Sequence, residues 1–177
     1  MDAKQLFDDV SQRTSQQTTQ AYSTSFSLGI SCLNPTIKDP IYGIYGFVRF
    51  ADEIVDTFHD YDKKELLEEF RQDTFKAINR GISLNPILNS FQHAINDFNI
   101  DHDLIHTFLD SMEMDLQDVK YTQANYEKYI LGSAEVVGLM CLKIFVIGDE
   151  KLYHKLKPNA MKLGAAFQKI NFLRDVK

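Results

Sequence analysis

The 177-residue chain lacks the features that mark disulfide-rich, secreted or zinc-finger proteins. Its two cysteines, Cys32 and Cys141, have neither the number of a disulfide framework nor the spacing of metal ligands. The first residues contain no basic segment followed by an apolar one, so they do not resemble a secretory signal. We therefore expect reduced thiols and a cytoplasmic protein.

Positive charge and long apolar runs are also scarce. The net charge of −6 argues against a nucleic-acid backbone as partner. The most apolar run, residues 136–147, contains Lys143 and is shorter than the roughly 20 residues that span a bilayer. We expect this run to be a buried core helix, with peripheral membrane association left open.

Alternating strand patterns, internal repeats and linkers are absent from the sequence. Apolar residues instead recur with helical spacing, and capping residues separate the segments. Helices are expected to begin at Asp39, Asp62, Asn85, Asp101 and Thr122, and Gly81 is expected to end one. The sequence predicts one all-α domain, residues 1–177, with a loop at 31–38. The predicted helices cover approximately residues 3–22, 40–58, 63–80, 86–98, 102–119, 123–148 and 151–177. The last helix is expected to kink or restart at Pro158, and to be cut in mid-course with further helices beyond Lys177.

A stripe of polar residues follows one side of the helix predicted at 40–58. Tyr45, Arg49, Asp52 and Asp56 succeed one another at spacings of four, three and four. Two carboxylates one turn apart repel each other unless a cation lies between them, and Mg²⁺ takes such oxygen ligands together with substrate phosphates. Arg49 lies on the same side and suits a phosphate oxygen. The alternative is a solvated acidic helix surface.

A second polar stripe lies near the end of the chain. Gln168, Asn171 and Asp175 share one helix face at i, i+3 and i+7, and Arg174 flanks them among apolar neighbours. Polar groups in apolar surroundings need partners, so a polar core network is one interpretation. The other is that the two stripes face each other and hold Mg²⁺ ions around a diphosphate.

Four segments, in order, resemble the squalene/phytoene synthase family of prenyl diphosphate synthases. They are residues 22–27 (Tyr-Ser-Thr-Ser-Phe-Ser), residues 44–56 with the first stripe, Tyr129 with residues 132–138 (Gly-Ser-Ala-Glu-Val-Val-Gly), and residues 168–175 with the second stripe. The resemblance extends from about Ala21 to Lys177. The overall pattern is most similar to the bacterial phytoene synthases of this family.

The resemblance implies an all-α isoprenoid synthase fold, a helical bundle around a central cavity. It implies a catalytic role for the motif aspartates Asp52, Asp56 and Asp175. The implied Mg²⁺ ligands are Asp52, Asp56, Asn171 and Asp175. The implied substrate-binding residues, which contact the diphosphate or line the pocket, are Tyr22, Ser23, Ser25, Tyr45, Arg49, Tyr129, Gln168 and Arg174.

The activity implied by the resemblance is head-to-head condensation of two geranylgeranyl diphosphates to phytoene through a cyclopropylcarbinyl diphosphate. Squalene or dehydrosqualene synthesis from farnesyl diphosphate is the first alternative, and a catalytically silent helical assembly subunit or a plain interaction domain is the other.

Two departures from the family pattern stand out. Glu53 replaces an aspartate that many members carry directly after the first motif aspartate. The last aspartate of the second motif would fall two residues beyond Lys177, so we expect the 177-residue chain alone to be inactive.

Overall fold

The computed structural model describes residues 2–117 and 122–175, with side chains described as far as residue 173. Within these ranges the chain is helical and contains no strand. The helices are α1 (Ala3–Tyr22), α2 (Thr24–Ser31), α3 (Pro35–Asp56), α4 (Lys63–Arg80), α5 (Pro86–Asp97), α6 (His102–Asp115), α7 (Gln123–Ile130), α8 (Val136–Val146) and α9 (Glu150–Asp175). A π-helical segment, Leu131–Glu135, joins α7 to α8.

The chain divides into two compact units, residues 1–99 and 100–177, and each is described by itself. The single domain expected from the sequence stays a prediction.

Most helix boundaries follow capping residues that the sequence predicts. The Asp62 carboxylate accepts the Glu65 N–H at 3.0 Å to begin α4, and Gly81, with φ of +68°, ends it. Side-chain oxygens at such positions satisfy backbone N–H groups that have no partner within the helix. Three further predicted caps are confirmed in the same way: Asn85, Asp101 and Thr122.

The predicted start of α3 at Asp39 is wrong. The helix begins at Pro35, so most of the predicted loop 31–38 is helical. Asn34 caps the helix by accepting the N–H two residues later at 3.0 Å, and Pro40 lies inside the second turn. Two Asx-Pro pairs lie in this segment, Asn34-Pro35 and Asp39-Pro40, and the helix begins at the first. Pro40 has no backbone N–H and so removes one intrahelical hydrogen bond, but the helix continues through it.

The first unit is built around the apolar face of α3. Ile44, Phe47 and Ala51 are fully buried, as their helical spacing predicts. The Phe47 ring stacks on Phe91 of α5 with centroids 3.9 Å apart, and on Phe70 of α4 at 5.5 Å. Burial of a ring of this size contributes about 2–3 kcal/mol. This packing fixes how α3 is rotated about its axis, and so which residues face away from the core.

A polar network joins α1 to α5 in the same unit. The Asn89 side-chain amide donates to Asp8 Oδ1 at 3.0 Å and to Ser11 Oγ at 3.1 Å. Lys4 Nζ lies 2.6 Å from Asp8 Oδ1, and His93 Nε2 lies 3.2 Å from it. Buried polar groups need such partners, because an unpaired one costs desolvation energy. The network therefore holds α1, and with it Tyr22 at its end, against the core.

The second unit packs α8 against α9. Leu139, Leu142 and Val146 form a buried cluster with Tyr153. The backbone of the π-helical segment lies very close to α6, since a Cβ on Gly132 would meet the Ser111 Cβ at 2.5 Å. Only glycine fits at such a contact. In this same unit α9 runs without a break through Pro158, so the helix does not restart there, and the alternative of a kink stays a prediction.

The apolar run at 136–147 belongs to a longer helix, close to the one predicted at 123–148. α7, the π-helical segment and α8 form one continuous helix, Gln123–Val146, of 24 residues. By length and composition alone this helix is long and apolar enough to cross a membrane, since an apolar window of 18 residues within it has a mean hydropathy of 1.8. Half of the apolar window is buried inside the protein, which is also typical of a core helix of a soluble protein. The run is therefore part of a helix long enough to span a bilayer, which its own length did not indicate. The expected packing of the run in the core is confirmed.

Candidate functional site

The first predicted stripe lies on α3, on the sides that its buried face leaves accessible. Tyr45, Arg49 and Asp52 are half-buried, and Asp56 is the exposed last residue of the helix. The helical spacing of the four residues is confirmed. Their position follows from the packing of Phe47, which turns the apolar face inward and the polar stripe toward the edge of the unit.

Arg49 is held by two neighbours that come from different parts of the first unit. Its guanidinium carbon lies 4.4 Å from the centroid of the Tyr22 ring, a cation–π contact. One of its terminal amino groups forms an ion pair with the Glu53 carboxylate one helical turn later. Among the described residues, no hydrogen-bond acceptor reaches the buried Nε–H of Arg49. Arg49 is thus fixed in place with one strong donor unused.

Glu53 was not among the residues predicted for this cluster, since it was interpreted only as a departure from the family pattern. The signal was present in the Arg-x-x-x-Glu spacing, since residues four apart on a helix are neighbours. The contact with Tyr22 had no such local signal.

Tyr45 lies in a second small cluster beside the first. Its ring contacts Phe26 of α2, with centroids 5.6 Å apart. Burial raises the pKa of the Tyr45 hydroxyl, and the negative charge of Asp52 raises it further. A hydrogen bond with Ser23 and the positive charge of Arg49 lower the pKa, but burial has the larger effect. The hydroxyl therefore stays neutral near pH 7 and remains a hydrogen-bond donor.

The two predicted serines are placed differently. Ser23 is the N-cap of α2, where its hydroxyl accepts the Phe26 N–H at 3.1 Å in addition to its bond with Tyr45. Ser25 lies in the first turn of α2 and is exposed. Ser23 therefore organises the local backbone, and a direct role of either serine in binding a head group stays a prediction.

The C-terminal end of α3 suits a cation. The last turn carries Glu53 and Asp56 and no basic residue, although a helix C-terminus is itself the negative end of the helix dipole. Lys63 offsets part of this negative charge, since its Nζ donates to the Val55 carbonyl at 2.7 Å. The carboxylates of Asp52 and Asp56 are hard oxygen donors of the kind that Mg²⁺ binds. Within the described ranges, no group of three or more His, Cys, Asp or Glu side chains converges on one point.

The second predicted stripe lies on α9 in the other unit. The Asn171 amide donates to Gln168 Oε1 at 3.4 Å, so these two residues share a helix face as predicted. The side chains of Arg174 and Asp175 lie outside the described residues. That the two stripes face each other across a cavity therefore stays a prediction.

Tyr129 lies next to the second stripe. Its ring contacts Phe172 of α9 with centroids 5.8 Å apart, and Tyr126 contacts the same ring at 5.6 Å. Tyr129 stands just before the π-helical segment, and such single-turn π segments often occur at functional sites. The aromatic pair Tyr126 and Phe172 was not singled out in the sequence.

A family profile described as Squalene/phytoene synthase matches residues 19–177 of the chain. The presqualene diphosphate synthase of Sinorhizobium fredii (strain NBRC 101917 / NGR234) is 30% identical over 163 residues, covering 88% of this chain and 55% of that protein. Phytoene synthase 1, chloroplastic, of Solanum lycopersicum is 26% identical over 162 residues, covering 88% of this chain and 38% of that protein. The chain thus spans about half, or less, of the length of these curated relatives.

Solved structures resemble the chain closely in fold. A crystal structure of a dehydrosqualene synthase in complex with ligand aligns with a TM-score of 0.82 at 22% identity, covering 99% of this chain and 59% of that one. Squalene synthase HpnC from Alicyclobacillus acidocaldarius aligns with a TM-score of 0.81 at 20% identity, covering 94% of this chain and 62% of that one. These likenesses confirm the predicted all-α isoprenoid synthase fold.

Proposed function

The chain belongs to the squalene/phytoene synthase family, and on this premise we propose that it acts in the head-to-head condensation of two allylic prenyl diphosphates. The observation that carries the proposal is the α3 site, where Arg49 is fixed with an unused buried donor beside the carboxylates of Asp52 and Asp56. A cationic donor and two oxygen ligands on one helix suit a diphosphate and its accompanying Mg²⁺.

Each residue of the α3 site has a definite task in this proposal. Arg49 donates to a diphosphate oxygen, and neutral Tyr45 supplies a second hydrogen bond from its hydroxyl. Asp52 and Asp56, with the predicted ligands Asn171 and Asp175, would hold Mg²⁺. When bound there, Mg²⁺ offsets the negative charge that develops on a departing diphosphate.

The remaining predicted contacts belong to the same proposal. Ser23, Ser25 and Arg174 would lie near the head group, and Gln168 and Tyr129 would line the space for the prenyl chain. Aromatic rings such as that of Tyr129 stabilise positive charge through their faces, which suits an allylic cation.

The substrate favoured by the sequence pattern is geranylgeranyl diphosphate, with phytoene as product. A second candidate is farnesyl diphosphate, giving presqualene diphosphate and then squalene or dehydrosqualene. The matches at 27–30% identity to proteins named presqualene diphosphate synthases support this candidate, whereas matches at 25–27% to phytoene synthases support the first.

Incubation of the intact protein with Mg²⁺ and either the C20 or the C15 diphosphate, with and without NADPH, tests function and substrate together. Conversion of either substrate to a condensed product supports the proposal, and product identity assigns chain length. The matched control omits Mg²⁺, and the two substrates are also mixed in competition. If neither substrate binds in a Mg²⁺-dependent way, the proposal fails and a catalytically silent helical subunit becomes the better account.

One further expectation is part of this proposal. The protein is cytoplasmic with peripheral membrane contact, as suits an amphiphilic substrate; failure to float with lipid vesicles would argue against that contact.

A further inference from the structure

We propose that Glu53 is a positioning residue, which together with the Tyr22 ring holds the Arg49 guanidinium in the orientation that receives a diphosphate. The proposal rests on the proposed function, because it concerns the same site. It assigns a task to the residue at which this chain departs from the family pattern.

The geometry shows two restraints on one side chain. The Tyr22 ring covers a face of the guanidinium at 4.4 Å, and the Glu53 carboxylate binds one of its terminal amino groups. The Arg49 side chain is 26% exposed and that of Glu53 only 12%, so water screens the ion pair weakly. With a face and one amino group occupied, the buried Nε–H remains without an acceptor among the described residues.

An arginine side chain has many rotamers, and ordering it at the moment of binding weakens affinity. A partner that orders the guanidinium before the ligand arrives removes that cost. Glutamate at i+4 suits this task on a helix, because its carboxylate can reach the side chain one turn earlier. An aspartate in its place would be one methylene shorter and would not reach Arg49 with the same geometry.

Simple electrostatics predicts the opposite effect of Glu53, which makes the proposal sharply testable. A carboxylate next to a diphosphate site repels the ligand, so its removal alone should tighten binding. If Glu53 instead acts by orienting Arg49, its removal should weaken binding. The sign of the change in affinity therefore separates the two accounts.

The first measurement follows the Arg49 Nε–H directly, by NMR of the chain labelled with ¹⁵N-arginine, with Arg49→Lys to assign the signal. We expect a slowly exchanging, ordered Nε–H in the wild type, and loss of that order in Glu53→Gln and Glu53→Asp. Tyr22→Phe, which keeps the ring, retains the ordered signal, and Tyr22→Leu loses it. The matched control is Glu69→Gln, because exposed Glu69 lines the same hollow as Glu53. An unchanged signal in folded Glu53→Gln would overturn the proposal.

The second measurement is calorimetric titration with inorganic pyrophosphate and Mg²⁺. We expect Glu53→Gln to weaken binding about fivefold, equivalent to about 1 kcal/mol, while Glu69→Gln changes it less than twofold. Equal or tighter binding by Glu53→Gln refutes the positioning role but leaves the proposed function standing. Lack of Mg²⁺–pyrophosphate binding by the wild type overturns both. Circular dichroism establishes that each variant is folded, and Tyr22→Leu repeats the test should Glu53→Gln not fold.

Discussion

The Asp8 carboxylate should make the stability of the first unit depend on pH. Burial by itself raises the pKa of Asp8, but interactions with Lys4, Asn89 and His93 outweigh it and lower the pKa from 3.8 to about 2. The ionised form is therefore favoured in the folded state. Lowering the pKa by about 1.8 corresponds to about 2.5 kcal/mol of stability at about 1.4 kcal/mol per pKa unit, and solvent screening of the partly exposed Asp8 side chain reduces this to about 2 kcal/mol.

The sign follows from the lowered pKa. The stabilisation is fully present above the unfolded pKa of 3.8 and is lost as pH falls through the folded pKa of about 2. We expect Asp8→Asn to lower the free energy of unfolding by about 2 kcal/mol at neutral pH, and to differ little from the wild type below pH 2.

Urea unfolding followed by circular dichroism, repeated between neutral pH and pH 2, measures this effect. Asp60→Asn is the matched control, because Asp60 is an exposed residue of the loop between α3 and α4. A stabilising role of ionised Asp8 is refuted if Asp8→Asn and Asp60→Asn show the same dependence on pH, or if Asp8→Asn is as stable as the wild type at neutral pH.

Three other outcomes are expected. Asp52→Asn should abolish turnover by the active protein without loss of helical content, since it removes a ligand of the proposed Mg²⁺; near-normal rates would contradict the assignment. Gly132→Ala should destabilise by about 1–3 kcal/mol in urea unfolding because its Cβ would overlap Ser111; Gly29→Ala, with open space around it, is the control and should not destabilise. Burial raises the pKa of the Cys141 thiol to about 12, so a thiol reagent should modify exposed Cys32 and leave Cys141 intact until the protein unfolds.

Capping signals predicted helix boundaries well where one signal stood alone. Asp62 and Gly81 act on backbone groups within a few residues, so their effect is local and readable in the sequence. At the start of α3 two equivalent Asx-Pro signals competed, and local rules could not choose between them. The short helix α2 was missed because its capping signal, Ser23, was interpreted only through the family resemblance.

The candidate site was predicted in part. Helical spacing placed Tyr45, Arg49 and Asp52 on one stripe, which the structure confirms. The partners of Arg49 were not predicted, since Asp52 and Glu53 are both within reach of it along the helix. Tyr22 is brought against Arg49 from the end of α1, a contact that only the tertiary structure provides.

The sequence by itself determined the helical class, the order of the helices, and the two stripes of donors, because these depend on residue type and on spacing within one turn or two. The tertiary structure decided what each donor contacts. Phe47 packed on Phe91 sets the rotation of α3, and the polar network at Asp8 sets where α1 delivers Tyr22. Such contacts join residues tens of positions apart, and close packing of whole helices, rather than any local pattern, fixes their distances.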